Sequence, residues 1–157
     1  MGIYHMIDLE QELESDFSVG ERMYESGKYE EALDIFVGVR DRLAKLEHLD
    51  GLAGINNWLG LTLTKLKRYD EALACHEVDL KISTATGNDE GQYRALSNIA
   101  ITYESMGDYA KAEEVFKRAI EAANRVGNNL DVSRAYSGLG AVLMTQKVCI
   151  PQPPPTF

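Results

Sequence analysis

Gly27-Lys28-Tyr29-Glu30-Glu31-Ala32-Leu33, Lys67-Arg68-Tyr69-Asp70-Glu71-Ala72-Leu73 and Gly107-Asp108-Tyr109-Ala110-Lys111-Ala112-Glu113 follow one another at intervals of forty residues. The register extends beyond these heptads: Gly20, Gly60, Ala100 and Gly140 keep the same interval, and each is followed three residues later by a large apolar side chain, Met23, Leu63, Tyr103 and Leu143. A period of about 20 to 50 residues means stacked supersecondary units that bury one another's apolar faces. The small residues at 20, 60, 100 and 140, and at 32, 72 and 112, suit close helix–helix contact. Tyr29, Tyr69 and Tyr109 fill the space beside a turn, and Phe36 and Phe116 take an aromatic position on the helix that follows.

The apolar spacing is helical throughout, and no alternating strand pattern competes with it. The pattern predicts helices near 8–26 and 29–46, 52–66 and 69–86, 90–106 and 109–126, and 131–146, which makes three pairs and one additional helix. Breakers fall at the joints: Gly27 and Gly107 end first helices, and Thr86-Gly87-Asn88-Asp89 and Val126-Gly127-Asn128-Asn129 separate one unit from the next. The fold class expected is all-α.

In order and spacing, the three heptads and the preceding Val19-Gly20, Leu59-Gly60, Ile99-Ala100 and Leu139-Gly140 steps resemble the tetratricopeptide repeat. That likeness implies a right-handed superhelix of helix-turn-helix units over residues 1–147, with a concave groove lined by the first helix of each pair. The common form of the motif has a period of about 34 residues, so these units carry on the order of one and a half extra helical turns. Forty-residue copies such as Tyr93-Arg94-Ala95-Leu96-Ser97-Asn98-Ile99-Ala100 and Ser133-Arg134-Ala135-Tyr136-Ser137-Gly138-Leu139-Gly140 are similar to those of the Pins-type adaptors of G-protein signalling and spindle orientation. Where those adaptors place an asparagine after the motif glycine, this chain has Glu21, Leu61, Ile101 and Ala141.

Forty-five per cent of the 157 residues are apolar, enough for a buried core, and no run approaches the roughly 18 apolar residues of a membrane helix. The start, Met1-Gly2-Ile3-Tyr4-His5-Met6, lacks the features of a secretion signal, and the two cysteines, Cys75 and Cys149, form no disulfide framework. A cytoplasmic location is expected. The net charge of −9 is uneven: residues 1–50 hold 13 acidic against 5 basic side chains, and residues 51–157 hold 12 against 11. Such acidity argues against nucleic acid or an anionic membrane as partner, and favours a basic segment near the first helix or a solvated end cap.

Transfer of the motif's groove-facing positions picks out Asn57, Leu61 and Lys65 from the second unit, Arg94, Asn98 and Ile101 from the third, and Arg134 and Ser137 from the fourth. Arg94 and Arg134, forty residues apart, would offer forked donors to the carboxylates of an acidic peptide, and Asn57 and Asn98 would bond its backbone. Each arginine has a competing structural reading as a salt bridge to a neighbouring helix.

No catalytic, metal or cofactor constellation is visible. His5 and His48 have no partner at metal spacing, His76 stands in the aromatic position of the second helix, and the glycines do not form a phosphate-binding loop. On the last helix Tyr136, Leu139 and Leu143 present an apolar side without a following helix to cover it, which predicts a homo-oligomer through that surface. The segment 148–157, with four prolines between Pro151 and Pro155, cannot continue a helix and reads as a disordered proline-rich tail. The function expected is a non-catalytic adaptor binding a protein or peptide partner in the groove, without cofactor. The alternative is a sensor whose array changes curvature on binding a signalling peptide, which would change its scattering radius.

Overall fold

A computed structural model describes the backbone of residues 2–149 and the side chains of residues 11–148. Among the described residues the chain is helical without strands: α1 (Gly2–Glu25), α2 (Tyr29–Lys45), α3 (Leu49–Lys65), α4 (Tyr69–Ala85), α5 (Asp89–Met106), α6 (Tyr109–Val126) and α7 (Asn129–Cys149). Each helix packs on the next. The odd helices also touch along the stack, α3 on α5 and α5 on α7, which places them on the inner row of a right-handed superhelix of three helix pairs and one additional helix. α1 begins earlier than the apolar periodicity predicts, and α7 runs on to Cys149. The proline-rich segment from Ile150 lies outside the described residues.

The turns repeat at half the unit length. Gly27, Gly87, Gly107 and Gly127 take positive φ between 68° and 80°, and the two intervening positions on this twenty-residue interval, Glu47 and Lys67, do the same at 52° and 60°. Glycine costs nothing in that region, whereas a residue with a Cβ costs about 1–2 kcal/mol. At the helix starts, Asn88 Oδ1 accepts from the Gly91 N–H at 2.9 Å and Asp108 Oδ1 accepts from the Lys111 N–H at 3.2 Å. His48 Nδ1 accepts from the Gly51 N–H at 2.9 Å, so this histidine caps α3.

The first and second helices of a pair approach closely because an aromatic ring of one lies on a small residue of the other. A Cβ on Gly20 would stand 2.5 Å from the Phe36 ring. One on Gly60 would stand 2.4 Å from the His76 ring, so the imidazole is the nearest neighbour that keeps position 60 small. Phe116 presses across the next boundary onto Gly138. Gly140 has open space around its Cβ position, because no second helix follows α7 among the described residues.

Burial falls into two apolar clusters. Phe36, Val39, Ile55, Leu59 and Leu63 centre the first, and Trp58 completes it with edge and tilted contacts to Phe17, Tyr24 and Phe36 at 5.4–6.0 Å. Leu96, Ile99, Val115, Phe116 and Val142 centre the second. Between them runs a polar seam on α4, where His76, Asp79 and Ser83 are all buried. Among the described residues neither ring nitrogen of His76 has a hydrogen-bond partner. Burial, reinforced by the Arg94 charge, lowers its pKa from 6.5 to about 4.

His76→Phe, which restores the aromatic found at 36 and 116, should therefore stabilise the fold by about 1–3 kcal/mol at neutral pH by removing two unsatisfied nitrogens. The depressed folded pKa means that the unfolded chain binds the extra proton between pH 6.5 and about 4, so the wild type loses stability as pH falls through that window. Denaturant titrations of both proteins should show the gap widening by about 2 kcal/mol between pH 7.5 and 5. A gap independent of pH would show that His76 titrates normally.

Candidate groove on the inner face

The inner row gathers its side chains around one depression at the boundary between the second and third pairs. Leu61, Thr64 and Lys65 of α3, Asn98, Ile101 and Ser105 of α5, and Tyr24 of α1 line it, and Lys67 and Tyr69 close it from the intervening turn. Its volume is about 390 Å³. Ile101 is 46% exposed, and Leu61, its counterpart forty residues earlier, is half-buried beside it. A helix-borne apolar pair, walled by two tyrosines and rimmed by two lysines, suits a bulky apolar side chain with a carboxylate next to it.

Four residues expected from the repeat register, Leu61, Lys65, Asn98 and Ile101, are brought together here. Asn57 stands one turn away, its Oδ1 accepting from Asn98 Nδ2 at 2.7 Å, so the two amides bond each other across α3 and α5. Thr64 Oγ1 donates to the Gly60 carbonyl at 2.9 Å and lies 3.4 Å from Thr102 Oγ1, a second polar tie between the same helices. Lys67, Tyr69 and Ser105 belong to the depression but were not expected from the sequence. Lys67 carried a signal all the same, since it stands where Gly27 and Gly107 supply the positive φ of the other turns. A residue held in that region at a cost often marks a functional position.

The two arginines part company. Arg94 is turned towards α4, where its guanidinium grips Asp79 in a fork, with Nη2 at 2.9 Å from Oδ1 and Nε at 3.3 Å from Oδ2. Asp79 has no exposure and takes a further hydrogen bond from Ser83 Oγ at 3.1 Å. Burial pushes its pKa up against the opposing pull of Arg94 and Ser83. Arg94 therefore clamps two units together, and the expectation of a pair of equivalent free donors is corrected. Its acid comes from α4 rather than from its own helix. Arg134 is exposed, with Nη1 3.5 Å from Asp131 Oδ1, because the position forty residues after Asp79 is Ala119.

On α7, Ser137 is exposed and its hydroxyl donates to the Ser133 carbonyl at 2.9 Å. Tyr136 is 56% exposed and Leu143 37%, while Leu139 packs against the second apolar cluster. Of the three residues expected to form an open apolar face, two are therefore open. Among the described residues no group of three His, Cys, Asp or Glu side chains stands together as a metal site, and no helix is long and apolar enough to cross a membrane.

Comparison with known proteins agrees with this geometry. A model of the tetratricopeptide repeat matches residues 51–125 and 91–147. Human tetratricopeptide repeat protein 29 is 25% identical over 124 residues, which is 79% of this chain but 26% of that protein. The chain thus spans about a quarter of the length of the curated relative. Among solved structures, the TPR domain of Arabidopsis FLU is 26% identical with a TM-score of 0.69, covering 74% of this chain and 98% of that one. PcrH, solved in complex with the chaperone-binding region of PopD, is 25% identical with a TM-score of 0.70, covering 87% and 95%.

The arginines separate in stability. Arg94→Ala leaves a buried carboxylate without its partner and should cost about 1–3 kcal/mol after allowance for the partial exposure of the guanidinium, lowering the melting temperature by several degrees. Arg134→Ala should stay within about 0.5 kcal/mol of the wild type. Equal melting points for all three proteins would show that the Asp79 clamp carries no stability.

Proposed function

Because the chain belongs to the tetratricopeptide repeat family, we propose that it is a non-catalytic interaction scaffold that holds a peptide segment of a partner protein on its inner face. The observation that carries this reading is the depression itself, which leaves Ile101 exposed and Leu61 half-buried on the concave row between α3 and α5. PcrH, of nearly the same extent as this chain, holds the chaperone-binding region of PopD, which supports a peptide ligand. Lys65 and Lys67 on the rim favour an acidic residue beside the apolar anchor, taking over the role that sequence reading gave to Arg94. A cytoplasmic setting, and a role akin to the Pins-type adaptors, form part of the same proposal and rest on the sequence alone.

A peptide-display selection against the full chain tests it. Enriched peptides should combine a large apolar residue with Asp or Glu, and their affinity should fall at least tenfold in Leu61→Glu and in Lys65→Glu, with melting temperatures within a degree or two of the wild type. Binding that survives both changes would place the peptide elsewhere.

For α7 we propose self-association. Gly140, whose counterparts Gly20 and Gly60 each lie under a ring, has nothing above it among the described residues, and Tyr136, Leu143 and the 72%-exposed Met144 stand beside it. Like patches paired about a two-fold axis would cover this surface. Sedimentation at high micromolar concentration should show a dimer that Leu143→Glu converts to monomer without unfolding. A monomeric wild type would refute the pairing.

A further inference from the structure

The forty-residue register brings Val39 and Gly54, Asp79 and Arg94, and Ala119 and Arg134 to the same place at three successive unit boundaries. At the second boundary the notch between the helices is filled by the Arg94 side chain lying on Asp79. At the first it is left open. Gly54 offers no side chain, a Cβ there would meet nothing within 4 Å among the described residues, and Val39 offers no acid. The result is a slot of about 260 Å³ floored by Phe17, Val39, Ile55 and Trp58 and closed at one end by Leu13 and Leu43.

Among the described residues, Glu14, exposed, is the one charged residue on its rim. The surrounding charge has the same sign. α1 adds Glu12 and Asp16, and the first turn of α3 adds Asp50. Of the cations on α2, Arg42 is bound to Asp16 and Arg40 to Asp41, which leaves Lys45, exposed two residues beyond Leu43, as the one cation of that helix set against these acids. An apolar slot under an acidic rim excludes an acidic ligand and fits an apolar side chain that arrives between basic ones.

We propose that this slot is a second anchor site on the inner face, for a peptide segment in which leucine, or an aliphatic or aromatic residue of similar bulk, is flanked by lysine. The inference rests on the reading of the inner face as a peptide-binding surface and adds the opposite charge preference at its acidic end. A bound segment would then run from basic residues near α1 to acidic residues near Lys65 and Lys67.

Trp58 is the only tryptophan of the chain and lies in the slot wall, so its fluorescence reports occupancy directly. The full chain is titrated with the blocked heptapeptide Gly-Ser-Lys-Leu-Lys-Ser-Gly. A saturable change is expected, weakened at least tenfold when the leucine becomes alanine or the lysines become glutamates. Gly54→Leu, which fills the slot from inside and replaces a helix-interior glycine, should abolish the response while keeping the melting temperature at or above that of the wild type. Leu61→Glu should leave the response intact, so that failure of the depression at the next boundary is distinguishable from failure of the slot. No saturable change up to millimolar peptide, an equal response to the alanine or glutamate peptide, or a response that persists in Gly54→Leu would overturn the proposal.

Discussion

In the first two pairs the distance between the helices is set by a ring lying on a residue without a side chain. Phe36 on Gly20 and His76 on Gly60 allow the helix axes to approach within what a Cβ would forbid, and Phe116 on Gly138 carries the same contact across a unit boundary. Everything on the inner face depends on that spacing. If the second helices stood further out, the first helices would not form a continuous row, and Asn57 and Asn98 could not bond at 2.7 Å across it. The contact also explains why the tightest positions of the fold tolerate neither a larger residue at the glycine nor a smaller one at the ring.

Within that frame the chain spends apolar burial unevenly. The two clusters around Phe36 and Phe116 are continuous by themselves, but α4, which should join them, turns His76, Asp79 and Ser83 inwards. The Arg94 fork offsets part of the desolvation of Asp79, and nothing offsets that of His76. A buried ion pair adds little net stability over apolar residues of the same shape, yet it tolerates only one register. The seam thus trades packing energy for a defined junction between the second and third pairs, next to the depression at Leu61 and Ile101.

Much of this was legible in the sequence. The forty-residue interval, the heptads and the glycine breakers located all the helix joints, because each signal is local and repeated, and the groove positions Leu61, Lys65, Asn98 and Ile101 followed from register. What was not legible depends on a second chain position. Glu47 and Lys67 adopt positive φ where glycine would be expected, since the turn is imposed by the helices on either side rather than by the residue. The partner of Arg94 lies fifteen residues away on the neighbouring helix, where no spacing along α5 points to it. It was available from a comparison of positions 39, 79 and 119, which reads valine, aspartate, alanine. Lys67, Tyr69 and Ser105 reach the depression from a turn and a helix end, where periodicity says little about direction.

The same comparison shows how a repeated backbone acquires unlike sites. At one structural position the chain carries Val39 with Gly54, then Asp79 with Arg94, then Ala119 with Arg134, and the three pairs give an open apolar slot, a closed clamp and an exposed cation. No change of fold is needed for any of them. The backbone contacts that stack the units leave these columns free to vary, so the copies share a scaffold and differ in what they place on it. A reading that looks only for the shared residues finds the scaffold and passes over its sites, as the two arginines illustrate: identical in type and spacing, they differ in role because the residue opposite changed from aspartate to alanine.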